Sequence, residues 1–341
     1  MKEQLVQIIE ESIPEAASNL EEWQCVLDGC NTIPSIFHLS SSVKYYVAYF
    51  SKNSAINLSI VLFNNNQAVG VMPLMIHLDE PNNWTLTSNG VEIIEPIFIK
   101  NLARKVKKRL ELQIYNLIYK LSDRLNIRYC QFANMEYGQL SSWYLMWANK
   151  ANDIFPTHHL LVDLSLSIED IRLKLRKSFK PLVNKSLHKW IISSHNCIST
   201  DEFDKFRLLH KSVSGRSTRT LDSWKVQKDQ INSAEATLIT VTDNCGDLIG
   251  GGLFTYSSYQ GMYCVGAYNR ELFSSPIGHG VQWKAIELLK EKGCLWYEIG
   301  QKHLMIDKVP FTKKELSISN FKEGFAGYVY AQPHLEVDLN E

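Results

Sequence analysis

Two stretches of this 341-residue chain run through the same order of elements, and that repetition constrains the fold more than any other feature. In the first half, "INLSIVLFNNNQAVGVMPLMIH" (56–77) reads as two strands around an Asn-rich turn. A long helix over 101–125 follows, basic at its start, and then a strand, "IRYCQFANM" (127–135). In the second half, "ATLITVTDNCGDLIGGGLFTYS" (236–257) is again strand, polar turn, strand. "GMYCVGAYNREL" (261–272) adds a strand, "GVQWKAIELLKEKG" (280–293) a helix, and "CLWYEIGQ" (294–301) the strand after it. Gly70 aligns with Gly250 and Gln131 with Glu298. The repeat predicts two related α/β domains, 1–152 and 153–341, each a mixed sheet flanked by helices, with the boundary near Asn149–Thr157. Ahead of the first hairpin, 1–12 and 16–28 read as short helices around Pro14.

Charge excludes some partners. Lys plus Arg equals Asp plus Glu at 36 each, so nothing global draws the chain to nucleic acid or an anionic surface. The charge is instead local. "IEDIRLKLRKSFKPLVNKSLHKWII" (168–192) carries seven Lys/Arg and no acid from Arg172 to Lys189, on a helix predicted to kink at Pro181. Such a run suits a diphosphate-bearing ligand, through Arg176 and Lys177, or is a solvated face. A second helix, 201–215, ends at Gly215 and opens into the loop "RSTRTLDSW". There Arg216 and Arg219 suit a phosphate or carboxylate, with Trp224 as a wall. The seven cysteines contain no C-x-x-C, so neither a zinc ribbon nor a disulfide framework is expected, and no metal. The start, "MKEQLVQIIEESIPEAA", lacks a signal-peptide pattern and no apolar run reaches transmembrane length, so a cytoplasmic location is expected.

Hydrolase, zinc-protease and Walker signatures are absent. Gly278 and Gly280 lead into a helix, where bare backbone N–H groups can approach a phosphate, or merely cap. "GHGVQWKAIELLKEKGCLWYEIGQ" followed by "LSISNFKEGFAG" resembles the C-terminal domain of the FemAB-like transferases, within the GNAT (Gcn5-related N-acetyltransferase) superfamily. "HHLLVDLSLSIEDIRLKLRKSFKPLVNKSLHKW" resembles the family's segment upstream, so the resemblance covers 158–327 and, through the repeat, extends weakly to the first half. No long helical-hairpin arm of the kind some members use is present, so transfer-RNA recognition is not favoured.

The resemblance implies two tandem GNAT-like domains and transfer of an acyl or aminoacyl group to an amine. It makes Lys322, of the Phe-Lys pair, the cation that stabilises a developing oxyanion. Glu298 is then a base or the group that orients Lys322, and His279 a second candidate base. Gly278, Gly280, Arg176 and Lys177 would hold the donor, acyl-CoA (acetyl-CoA). Arg216, Arg219, Trp224, Tyr268, Arg270 and Gln301 would face the acceptor, an amino group on a sugar or a nucleotide- or lipid-linked cell-envelope precursor. An aminoacyl-tRNA donor, a non-catalytic nucleotide-sugar-binding protein and a homodimer stay open as alternatives. Lys322 should be withdrawn from solvent beside Glu298.

Overall fold

A computed structural model describes residues 1–17, 20–307 and 310–340. The chain divides into two compact units, one made of Met1–Pro156 with Gln332–Glu341 and one of Thr157–Ala331. The sequence reading kept everything after 153 in the second domain; the last ten residues instead belong to the first. Leu335, Val337 and Leu339 explain why, because all three are buried in the first unit's core.

The first unit opens with α1 (Lys2–Ser12), β1 (Ala16–Ala17), α2 (Trp23–Asp28) and α3 (Ser40–Tyr49). The helix expected over 16–28 is therefore only its last part. Next come β2 (Ile56–Asn57), β3 (Ile60–Asn64), β4 (Gln67–Met72), β5 (Met75–Glu80), β6 (Asn83–Thr87) and β7 (Ile97–Phe98). The Asn-rich turn joins β3 to β4 through Asn65 and Asn66, at φ 52° and 61°. Two consecutive positive φ values are what a two-residue hairpin turn needs, and asparagine tolerates them best after glycine. The long helix, α4 (Arg104–Leu125), buries Leu110, Ile114, Leu117, Ile118, Leu121 and Leu125 along one stripe against Leu5 and Ile9 of α1. Then follow β8 (Tyr129–Ala133), α5 (Ser142–Ala148) and β9 (Asp153–Asp163), whose last residues belong to the second unit.

The second unit continues with α6 (Ile168–Lys174), α7 (Phe179–Lys189), β10 (Ile191–His195), α8 (Thr200–Ser214) and α9 (Leu221–Asn232). After these come β11 (Ala236–Thr242), β12 (Leu248–Tyr256), β13 (Gln260–Tyr268), α10 (Ile277–Glu291), β14 (Trp296–Gln301), α11 (Lys313–Glu323) and the start of β15 (Tyr328–Asp338), which passes into the first unit at Gln332. The basic segment breaks at 175–178, earlier than Pro181, which lies inside the first turn of α7, where its missing N–H costs no helical bond. Here the strands run β10-β11-β12-β13-β14-β9, antiparallel except for β13 with β14, which α10 connects. One face packs Leu175, Phe179 and Val183 with Ile277, Val281 and Leu289. The other packs Phe203 and Phe206 of α8 with Trp224 and Ile231 of α9. At Gly251 a side chain would meet the Phe206 ring at 3.1 Å, so helix and strand approach closely there. Among the described residues no helix is long and apolar enough to cross a membrane.

Candidate active site

The parallel pair β13–β14 comes apart partway along. Only Gln260–Met262 pairs with Trp296–Glu298, although β13 continues to Tyr268 and β14 to Gln301. The cause is a bulge in each strand at that level. On β13 the register against β12 skips Cys264, because Leu253 faces Val265 and Phe254 faces Tyr263. On β14 the register against β9 skips Ile299, because Glu298 faces Leu161 and Gly300 faces Leu160. Each extra residue bends and twists its strand, so the two diverge into a wedge whose facing backbone groups are no longer paired with each other.

Lys322, in the last turn of α11, reaches this wedge. Its ammonium lies 5.4 Å from the centre of the Tyr263 ring. It also passes over Gly300, where φ is 143° and a side chain would collide with the lysine Nζ. Glycine is required there twice, for its backbone angle and for the room it leaves. Burial lowers the Lys322 pKa below the ordinary lysine value, and the negative charge of Glu298 partly opposes that. Lys322 is thus a half-buried amine whose charged form burial disfavours and Glu298 favours.

Glu298 is buried and both its oxygens are occupied. His159 Nδ1 lies 2.8 Å from Oε1, and Gln260 donates from Nε2 to Oε2 at 2.6 Å. His159 Nε2 in turn lies 2.8 Å from the Thr157 hydroxyl. A chain Thr157–His159–Glu298–Gln260 therefore fixes the carboxylate whose charge acts on Lys322. With both oxygens engaged, this carboxylate is placed to support the Lys322 charge. Neither His159 nor Gln260 was foreseen. The available signal was a polar side chain at inward positions of two otherwise apolar strands, Thr157 and His159 sharing one face of β9.

The remaining candidates divide. Arg219 reaches the wedge: it donates to the Cys264 carbonyl at 3.4 Å and lies over the Trp224 ring at 5.4 Å. Trp224 itself is a core residue, 5% exposed among Phe203, Phe206 and His210. Tyr268 bonds the Tyr263 hydroxyl at 3.2 Å. It joins Tyr263, Gln282 and Tyr297 in a buried polar group, and burial raises all three phenol pKa values. Arg216, Arg270 and Gln301 are exposed. His279 is walled by the Phe179, Phe321 and Phe325 rings, and burial lowers its pKa to about 4. None of its ring neighbours belongs to the Glu298 chain, so the structure places it as a neutral core histidine.

The proposed donor cradle fares worse. The Gly280 N–H is donated to Ser186 Oγ at 3.2 Å, and Ile192 occupies the space beside it. Gly278 faces the Phe321 ring at 3.2 Å and Tyr268. Ser186 of α7 thus occupies the Gly280 amide at the start of α10. Arg176 is engaged by the Asn320 carbonyl at 3.1 Å and the Glu323 carboxylate at 3.4 Å, while Lys177 is exposed. Among the described residues no cluster of three or more His, Cys, Asp or Glu could hold a metal ion.

Solved structures share this architecture. The FemX structure is 11% identical and superposes with a TM-score of 0.66 over 93% of this chain and 95% of its own. L-PGS from Bacillus licheniformis is 10% identical, with a TM-score of 0.62 over 95% and 93%. A C-terminal domain assigned to a lysylphosphatidylglycerol synthetase of Agrobacterium fabrum is 10% identical, with a TM-score of 0.57 over 94% and 93%. No protein-family model matches the sequence, and no curated protein matches it. The chain shares the fold of the FemX and L-PGS structures, with mixed sheets flanked by helices.

Proposed function

We propose that the second unit transfers an activated acyl group onto an amine, with Lys322 stabilising the oxyanion. The observation that carries this reading is the half-buried ammonium, held beside an ordered carboxylate at the mouth of two parting strands. A neutral amine attacks the carbonyl carbon, a C–N bond forms, and negative charge gathers on the carbonyl oxygen. In a site withdrawn from water, a fixed ammonium stabilises that charge far more than an exposed one would. The tetrahedral intermediate then collapses and the carrier departs with the electron pair of its bond to carbon. The amine's proton leaves to a base or solvent.

The start of α10 bears on the choice of donor. Acyl-CoA is the donor the sequence favours, and its acceptor would be a sugar or cell-envelope amine. The bonded, covered Gly280 amide instead favours the alternative, an aminoacyl group esterified to a larger carrier such as tRNA, gripped away from that helix end. The name of the lysylphosphatidylglycerol synthetase neighbour points to aminoacyl chemistry as well. Calorimetry with acetyl-CoA and with aminoacyl-tRNA separates the donors: binding of acetyl-CoA alone restores the first reading. Lys322→Ala and Lys322→Met test the shared step, with kcat expected to fall by at least about 100-fold while the fold persists. Unchanged turnover in Lys322→Met would rule the role out.

A further inference from the structure

The loop between β14 and α11 holds two apolar side chains out in solvent, and it does so with a built support. Met305 is 91% exposed and Ile306 77%, and among the described residues no other large apolar side chain exceeds 70%. They are not at a frayed end. Asp307 Oδ2 accepts the Leu304 N–H at 2.7 Å, the Asp307 N–H returns to the Leu304 carbonyl at 3.0 Å, and His158 Nδ1 lies 2.9 Å from Asp307 Oδ1. One carboxylate thus closes the turn and ties it to β9. Apolar side chains left to themselves fold back against the body of a protein; these two are held away from it.

From Lys302 to Glu315 the chain carries four lysines against two acids, Asp307 and Glu315. Lys313 and Lys314 are exposed at the start of α11. The acids nearby are engaged: Asp307 in the turn, Glu315 in the capping box with Thr312, and Glu323 between Lys302 at 2.8 Å and Arg176 at 3.4 Å. Through Glu323 the base of the loop also joins the acid-free run of seven Lys/Arg from Arg172 to Lys189.

We propose that the Leu304–Asp307 turn is a membrane-surface contact, seating Met305 and Ile306 in the interface of a bilayer that carries anionic lipid. A bilayer accepts a small protruding aliphatic tip without a matching groove, and its headgroups attract the flanking lysines. Nucleic acid fits less well, since the tip offers no ring for a base to stack on; the nearby His303 and Phe311 rings stack on each other, 5.0 Å apart. This inference does not depend on the acyl-transfer reading, and its test needs no substrate.

The full chain is sedimented with vesicles of phosphatidylcholine containing about a quarter phosphatidylglycerol, and with phosphatidylcholine alone. It should bind the anionic vesicles, and more weakly as salt rises. Met305→Ser with Ile306→Ser should weaken binding at least about tenfold, and Lys313→Ser with Lys314→Ser by about tenfold. All four residues are exposed, so circular dichroism should show each double variant folded as the parent. Absence of binding by the parent chain, or unchanged binding by the Met305/Ile306 variant, overturns the proposal. So does a concentration-dependent dimer that the same variant abolishes, which would assign the turn to a protein interface, or a loss confined to tRNA binding.

Discussion

Each unit buries one glutamate to the same degree, and the two carboxylates are treated very differently. Glu95 in the first unit and Glu298 in the second are both 7% exposed. Glu95 accepts the Met135 N–H at a long 3.4 Å, and Lys107 offsets its burial only slightly. Its pKa is accordingly raised to about 7, chiefly by burial. Glu298 has a histidine on one oxygen, an amide on the other and a lysine charge close by. At the first-unit position aligned with Glu298 stands Gln131, exposed on β8 with its amide 3.3 Å from Glu336. Burial alone makes a reluctant acid; ordered donors and a cation make an electrostatic device.

That contrast can be broken by experiment, and the largest effect belongs to Lys322. The parent's activity should fall with rising pH earlier than an ordinary lysine would dictate, since the lowered pKa discharges Lys322 sooner. A pH–rate profile reads this directly. Next in size, Gly300→Ala should cost about 1–3 kcal/mol of stability, read by urea unfolding, and displace the ammonium, cutting kcat by tens of fold. His159→Gln should lower kcat by about tenfold and move the alkaline limb of the profile, which loss of packing alone would not do. Glu95→Gln should leave kcat within about twofold; an effect as large as that of Lys322→Met would overturn the contrast.

Glu95→Gln should instead change how stability depends on pH. The Glu95 pKa is raised on folding, so its contribution is complete below the unfolded value and lost as pH climbs through about 7. His38, fully buried with its ring on the Glu95 carbonyl at 2.9 Å, is shifted the other way, to about 4. Its contribution is complete above the unfolded histidine value and lost as pH falls through about 4. The two slopes oppose each other through mildly acid pH. Removing Glu95 should unmask the histidine slope and stabilise the protein at pH 8 by up to about 3 kcal/mol, measured by urea unfolding.

Much of the frame was legible because hydrophobic spacing and turn chemistry are local properties. The Asn65–Asn66 hairpin, the α4 stripe and the β13–α10–β14 order follow from residues close in sequence. Lys322 and Glu298 were legible only through resemblance; neither periodicity nor composition distinguishes them. His159 and Gln260 were missed because a polar residue on a strand gains its meaning from a partner 139 or 38 residues away. The partner of the Gly280 amide was illegible for the same reason: what covers an amide is decided by a distant helix, here through Ser186.

The membership of Gln332–Glu341 in the first unit also sets an order of events during synthesis. β8 takes His334–Asp338 of β15 as its antiparallel partner, and Leu339 completes the same core. A ribosome making this chain therefore finishes every residue of the second unit before the first has its last strand. The unit that begins first is the one that must wait, with β8 a bare edge open to wrong pairing until then.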